Sequence, residues 1–344
     1  MGPFLFSIAL LCLASIVQSQ STNDTTTTTV TLLNRSVAVT ATRIDWSDDG
    51  LIGTIPSEIG LLTDLTHLSL SFNDISGTLP SEIGLLTELS YFSANVTRLE
   101  GTIPNSLSML TKLSVLDLAM NFLTGTVPSE LGRLSLLSSL QLFAQDLTGY
   151  VPSEIGLLQN LTSLPFVGNL FSGEIPEEIG TMTQLTILSF WGNNLNSTIP
   201  SELGQLTQLQ RMSFSLNSLS GTVPTTLGRL TNLVSLSLNY NDLSGPIPSE
   251  LGLLTNLESL RLFANDLTGT VPEEVCLLTT TTTTTHQSAN DTVVFLHRIG
   301  LDCLEVSCGG NCACTCYDVW SLEANIGLFS ASSSTSISRS SSVP

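Results

Sequence analysis

Cations are scarce in this sequence: ten Lys and Arg stand against 29 Asp and Glu, a formal net charge of −19. Nucleic-acid binding needs a basic footprint, and docking on an anionic bilayer needs clustered Lys and Arg, so both partners are excluded. Histidine occurs three times, at His67, His286 and His297, none beside a Ser or Cys constellation. Nucleophilic and acid–base catalysis thus have no visible machinery, and no glycine-rich phosphate loop is present. The sequence reads as a non-enzyme with no cofactor and no metal. Past the N-terminus there is no run of about 18 apolar residues, so no membrane span is expected, and no hydrophobic tail signals a lipid anchor.

What is present begins with an apolar run over residues 4–17, followed by Gln18-Ser19-Gln20. Its length suits residues 1–19 as a signal peptide cut after Ser19; an uncleaved anchor is the alternative, because no basic residue precedes the run. Cys12 would leave with the signal. The remaining Cys276, Cys303, Cys308, Cys312, Cys314 and Cys316 are even in number, which in an exported chain reads as disulfides with fifteen pairings left open. Zinc is the rival reading, disfavoured by a spacing without two CxxC pairs. Sequons at Asn23, Asn34, Asn95, Asn160, Asn196 and Asn290 are the expected N-glycosylation sites. The expected location is secreted, extracellular or in the cell wall.

A 24-residue period dominates the rest. Residues 254–272 carry the frame LxxLxLxxNxLxGxVP, and its GxxP end recurs ten times at a constant interval, from Gly53 to Gly269, with Ser197 in place of one glycine. A fixed period of this length with this leucine spacing signals a solenoid of strand-plus-turn units. The LxL triplet is a short strand whose leucines point inward and whose flanking residues point outward with period two. Asn73, Asn121, Asn169, Asn193, Asn217, Asn241 and Asn265 form a column, with Asp49, Thr97 and Gln145 as exceptions. Such amides can satisfy backbone groups of their own turn and of the neighbouring coil. After each proline a Ser and an early Glu suit a Ser-capped helical turn on the outer face. A first, irregular coil at residues 41–53 puts Trp46 at a leucine position, leaving Trp46 and residues 37–39 to cover the end of the stack.

The frame resembles the plant-type leucine-rich repeat of receptor-kinase ectodomains and of secreted polygalacturonase inhibitors, over roughly residues 37–278. The C-terminal LDCLEVSCGGNCACTC is similar to tails of secreted algal repeat proteins, diatoms among them. The resemblance implies an α/β fold: a right-handed solenoid of ten 24-residue coils with a parallel β-sheet on the concave face and short helical turns on the convex face. It also implies a second strand at each GTIP edge and a role in recognising extracellular ligands. The expected organisation is a Thr-rich disordered segment at 20–36, the solenoid at 37–278, a Thr-rich insert and linker at 279–300, a Cys-rich cap at 301–320 and a Ser-rich disordered tail at 321–344. Cys276 is expected to tie to the cap, with the Thr run looping out of the last coil and back. No kinase or span follows, and paired N-terminal cysteines are missing, unlike in the receptors and the inhibitors respectively.

Outward strand positions carry the function, if the chain binds a ligand. Phe143, Val167 and Trp191 should be consecutive rungs of one column, with Pro165 and Ile187 beside them; Val115, Arg211, Asn239, Arg261 and Phe263 extend the surface. An exposed apolar cluster rimmed by Ser and Arg has the composition of an interface core; the alternative is that the aromatics merely pack over the Asn turn. Pro165 removes a donor in mid-strand and should distort the sheet locally. The reading is a monomeric recognition module for a protein, peptide or glycan. Its alternatives are a structural wall or matrix protein, a hydrolase inhibitor, and an ice- or mineral-contacting surface built on Thr54, Thr78, Thr102, Thr126, Thr198, Thr222 and Thr270 or on the Glu column.

Overall fold

The computed structural model describes residues 18–20, 27–278 and 299–300. All belong to the first of two units, Met1–Cys314; the second, Thr315–Pro344, lies outside the described residues. So do the apolar run 4–17, Asn23, the Thr run, Asn290, the five cysteines from Cys303 to Cys316 and the Ser-rich tail.

Each coil follows one path. A three-residue strand such as Val115–Asp117 lies on the concave face, the chain turns at the ladder Asn, a second strand such as Phe122–Gly125 forms the adjoining edge, and a 3₁₀ turn such as Ser129–Arg133 closes the outer face. Concave strands pair parallel at a register of 24 residues, as in Val115↔Ser139. The second sheet is staggered, its register 22 residues, as in Thr124↔Asp146. The core between the sheets is aliphatic, with Phe92, Phe166, Phe171, Phe190 and Phe214 fully buried. Phe166, Phe171, Phe190 and Phe214 form a chain of ring contacts through coils six to eight, with centroids 5.2–5.8 Å apart.

The Asn column works as expected. Asn193, only 7% exposed, donates from Nδ2 to Phe166 O at 2.7 Å in the preceding coil and to Phe190 O at 3.0 Å in its own. Its Oδ1 accepts from Phe171 N–H at 3.1 Å. The same three-way bridge recurs at Asn73, Asn121, Asn217, Asn241 and Asn265. Gln145 reproduces it in part, accepting from Leu123 N–H and donating to Leu118 O.

Three expectations need correction. Residues 27–36 are not disordered: Thr27–Leu32 and Arg35–Ala38 form an antiparallel hairpin, with Gln18–Gln20 as a third strand. Period-two alternation in the Thr-rich stretch places Val30 and Leu32 inward, 1% and 2% exposed, so they cover the first coil together with Val37 and Trp46. Leu33 and Asn34 turn the hairpin with φ of +49° and +63°, the positive pair a two-residue hairpin demands. The expected cut after Ser19 falls inside the third strand.

The serines, secondly, do not cap the outer turns. Proline holds the N-cap position in every coil and no side chain caps it; the Ser hydroxyl reaches the next Glu instead, as Ser201 Oγ does to Glu202 at 3.1 Å. Thirdly, Ile299–Gly300 is not linker but a strand paired parallel with Ser259–Arg261. The distortion expected at Pro165 is found: the concave ladder divides into five strands ending at Ser139–Gln141 and six beginning at Ser163–Pro165. Pro165 has no N–H to give the preceding strand, so the ladder parts there as its chemistry requires.

Candidate recognition surface

Side-chain size and packing between neighbouring rungs decide which outward residues are accessible. Ser69, Ser93, Ser215, Ser237 and Asn239 point outward from the sheet yet are 8% exposed or less. Several pair with the neighbouring coil: Ser71 diagonally with Ser93 at 2.7 Å, and Ser215 Oγ donating along its row to Asn239 Oδ1 at 2.7 Å. Asn239 is therefore part of the floor. Trp191, by contrast, stands 44% exposed.

Phe143, Val167 and Trp191 are consecutive rungs: Ala144 N–H donates to Val167 O and Gly168 N–H to Trp191 O, both at 2.8 Å. Pro165 lies in register with Ser189, and Ile187 with Arg211. The structure thus brings the apolar cluster together against the seam between the two sheets, Phe143 and Val167 half-buried and Trp191 exposed. Val115 is not part of it; it sits between Tyr91 and Ser139 in another column. Arg211 is exposed and Arg261 half-buried, two rungs apart along the sheet. Phe263 packs edge-on against Tyr240, centroids 5.4 Å apart.

Sequence reasoning missed the row beside this cluster. The residue before each ladder position has left-handed backbone: Phe72, Val96, Met120, Ala144, Leu216, Tyr240 and Ala264, with φ from +51° to +58°. Phe72, Leu216 and Tyr240 are 56%, 43% and 40% exposed, so the rim of the concave face is an apolar ridge. Gly168 and Gly192 interrupt it next to Val167 and Trp191. A Cβ on Gly168 would approach Ala144 no closer than 3.8 Å, so lack of room does not demand glycine there. The signal was legible in the sequence as the residue preceding each column Asn.

At the N-terminal end, His67 stacks on Tyr91 with centroids 4.2 Å apart. Burial lowers its pKa, Arg43 adds to that, and Asp45 opposes. Asp117 accepts from Asn95 Nδ2 at 2.6 Å and from Ala119 N–H at 3.2 Å. Burial nonetheless pushes its carboxyl up, against both hydrogen bonds. Asn95, a sequon residue, is thus half-buried with the glycan-bearing atom engaged, and its Oδ1 is buried without a partner. Thr97 of the same sequon is buried, donating to Ala94 O. Asn34 at the hairpin tip, Asn160 on the outer face and Asn196 at the edge are the other described sequons, all three exposed.

Cys276 is disulfide-bonded at the end of the last helical turn, and its partner lies outside the described residues. Among the described residues no three His, Cys, Asp or Glu gather to hold a metal, and no helix is long and apolar enough to cross a membrane. A depression of about 250 Å³ lies away from the concave face, where the hairpin tip meets the second strand of the first coil; Thr31, Leu33, Asn34 and Ile52 line it, and no charged group does.

The second-sheet edge is more regular than its sequence suggests. Thr54, Thr78, Thr102, Thr126, Thr198 and Thr222 are exposed, and each lays its Cγ2 over the glycine of the next coil. The methyl lies 2.8–3.0 Å from where a Cβ on that glycine would be, so both the positive φ and the threonine exclude a side chain there. The six threonines consequently share one orientation. Tyr150 lays its ring over Gly173 in the same manner.

Comparison with known proteins agrees with this geometry. The Leucine Rich Repeat family model matches residues 64–86, 112–134, 184–206 and 232–254. No curated protein sequence matches the chain. Among solved structures it is similar to the plant peptide hormone receptor RGFR1 in complex with RGF2: 36% identity over 66% of this chain and 40% of that one, TM-score 0.59. It is similar also to the Arabidopsis receptor kinase HAESA in complex with the peptide hormone IDA and the co-receptor SERK1, at 34% identity over 68% and 39%, TM-score 0.64. The chain thus spans about two fifths of the length of either receptor. A plant ice-binding protein is similar over 87% of this chain and 89% of its own, at 27% identity and a TM-score of 0.57. Repeat period, Asn bridges, paired sheets and these likenesses together make this chain a leucine-rich-repeat protein of the plant type.

Proposed function

We propose that the chain is a secreted, non-catalytic recognition module that binds an extracellular protein, peptide or glycan on the central and C-terminal concave face. The observation that carries it is the Phe143–Val167–Trp191 column beside the sheet seam, an apolar cluster at the mouth of an otherwise polar floor. Buried aromatic anchors with a polar surround are where binding energy concentrates. The receptor ectodomains bound to peptide hormones lend support, being similar over two thirds of this chain. Export through residues 1–19, glycans on exposed sequons and pairing of Cys276 with the C-terminal cysteines belong to the same reading. A photo-crosslinking residue at position 167, compared with one at outer-face position 157, tests it. Ligands should label through 167, and Phe143→Ala with Trp191→Ala should abolish that labelling. Labelling confined to 157 overturns the reading.

One observation favours a second function. Six threonines of shared orientation, at spacings of about 4.8 Å where their coils are adjacent, form a regular hydroxyl and methyl array, and a plant ice-binding protein is similar over nearly the full chain. Tyr150, Glu174 and Pro246 interrupt the column, which argues for the concave face as the primary site. Thermal hysteresis in the purified chain, lost in Thr102→Tyr, supports ice contact; its absence ends the idea.

A further inference from the structure

Two unpaired cations share the concave face. Arg211 and Arg261 lie there and, like Arg133 and Arg229 on the outer turns, enter no ion pair among the described residues, whereas Arg35, Arg43, Arg98 and Lys112 do. They are two rungs apart and offset by two residues along the strands, which places their Cα atoms about 12 Å apart. Between them the outward groups are hydroxyls and an amide, among them Ser213, Ser237 and the Ser215–Asn239 pair. No carboxylate occupies an outward strand position from Ile187 to Phe263, although Glu258 stands exposed one residue before the last of these strands; the strand positions themselves thus carry charge opposite in sign to the chain's −19. With a screening length of about 8 Å at physiological salt, a ligand at this floor feels the two guanidinium groups more than the distant acids.

Aromatic rings close the floor at both ends. Hydrogen bonds Gly192 N–H to Ser215 O, Leu216 N–H to Asn239 O and Tyr240 N–H to Phe263 O put Trp191 and Phe263 in one row, three rungs apart. That separation is about 14 Å. The strands between them pair on both sides, so no free edge remains for a peptide to join as an added strand.

We propose that this four-strand floor binds an acidic oligosaccharide, a short chain of uronic-acid sugars, with its carboxylates on Arg211 and Arg261 and sugar faces against Trp191 and Phe263. The inference rests on the concave-face reading and names its ligand class. Guanidinium offers a planar carboxylate two parallel donors; serine and asparagine exchange hydrogen bonds with ring hydroxyls; and aromatic faces suit the apolar face of a sugar ring. A hydrophobic peptide would find no recess between the arginines, only small polar side chains.

The test is calorimetric titration of the full chain with an oligogalacturonate, its methyl ester and oligoglutamate, at physiological ionic strength. Oligogalacturonate should bind, and Arg211→Gln, Arg261→Gln and Trp191→Ala should each weaken it about tenfold, a loss of roughly 1.4 kcal/mol. Arg98→Gln, on the other sheet, should leave it unchanged. Equal binding of the methyl ester removes the carboxylate contact and overturns the proposal; so does equal binding of oligoglutamate, which reduces the floor to a simple anion patch. If oligogalacturonate fails to bind while a probe at position 167 still captures a ligand, the sugar assignment falls and the concave-face reading stands.

Discussion

Replacing Asn193 with Ala tests the physical basis of the stack. The side chain makes three hydrogen bonds at a site 7% exposed: to Phe166 O, to Phe190 O and from Phe171 N–H. Phe190 O keeps a second donor, Asn217 Nδ2 at 2.9 Å, so the substitution strands two backbone groups, one acceptor and one donor. A buried group left without its partner costs about 1–3 kcal/mol, giving about 2–6 kcal/mol in all. That is a large share of the roughly 5–15 kcal/mol that holds a typical domain together. Because a solenoid transmits stability only between neighbouring coils, the loss should be local. Trp191, two residues away, should report unfolding at lower urea than the far-UV dichroism of the whole chain. Asn160→Ala on the exposed outer face, which removes one bond to Ser135 O, is the control and should stay within about 0.5 kcal/mol. If Asn193→Ala matches that control in denaturant midpoint, the ladder is not what joins the coils.

Further outcomes follow from single contacts. Gly180→Ala should destabilise by about 1–3 kcal/mol in urea titration, since its Cβ would lie 2.5 Å from Glu202 O of the next coil. Gly168→Ala has room and should cost only the left-handed backbone, about 1 kcal/mol, while narrowing the notch beside Val167; equal losses at the two sites would refute the distinction. Thr97→Asn should stabilise by about 1 kcal/mol, because it restores the backbone bridge that Asn73 and Asn121 make. It also removes the Asn95 sequon, which a melting curve on deglycosylated protein separates from the packing effect. Asp117 has a raised carboxyl pKa, so the folded state holds its proton more firmly than the unfolded chain. Its contribution is fully present below the ordinary carboxylate pKa and is lost as pH rises through the folded value. Asp117→Asn should therefore raise the melting temperature at pH 7 and lose that advantage in acid; a larger gain in acid would refute the burial argument.

The repeat frame was legible because it is chemical. LxL strands and the Asn column are each enforced by a requirement that every coil shares: aliphatic burial for Leu116 or Leu188, and satisfaction of backbone groups for Asn121 or Asn193. Pro165 announced the break in the sheet because a missing N–H is visible in one letter. The hairpin over residues 27–38 was hidden because its threonines read as low complexity, while Val30 and Leu32 gain their burial only from the coil they cover. The left-handed ridge has a fixed place in the repeat, just before each column Asn, but its backbone was not marked by residue type, because Phe72 and Leu216 stand where Gly or Asn is preferred.

Sequence by itself determined the solenoid: the period, the inward columns, the ladder and the outer turns all follow from residue types at fixed intervals. Tertiary structure alone decided what that solenoid exposes. Packing between neighbouring rungs withdrew Ser215, Ser237 and Asn239 into a floor and left the larger Trp191 standing above it. Stacking fixed six threonines in one orientation over the next coil's glycines. Strand register set Arg211 and Arg261 across that floor from each other. A one-dimensional pattern states which face a side chain takes; only the distance to neighbouring coils states whether a ligand can reach it.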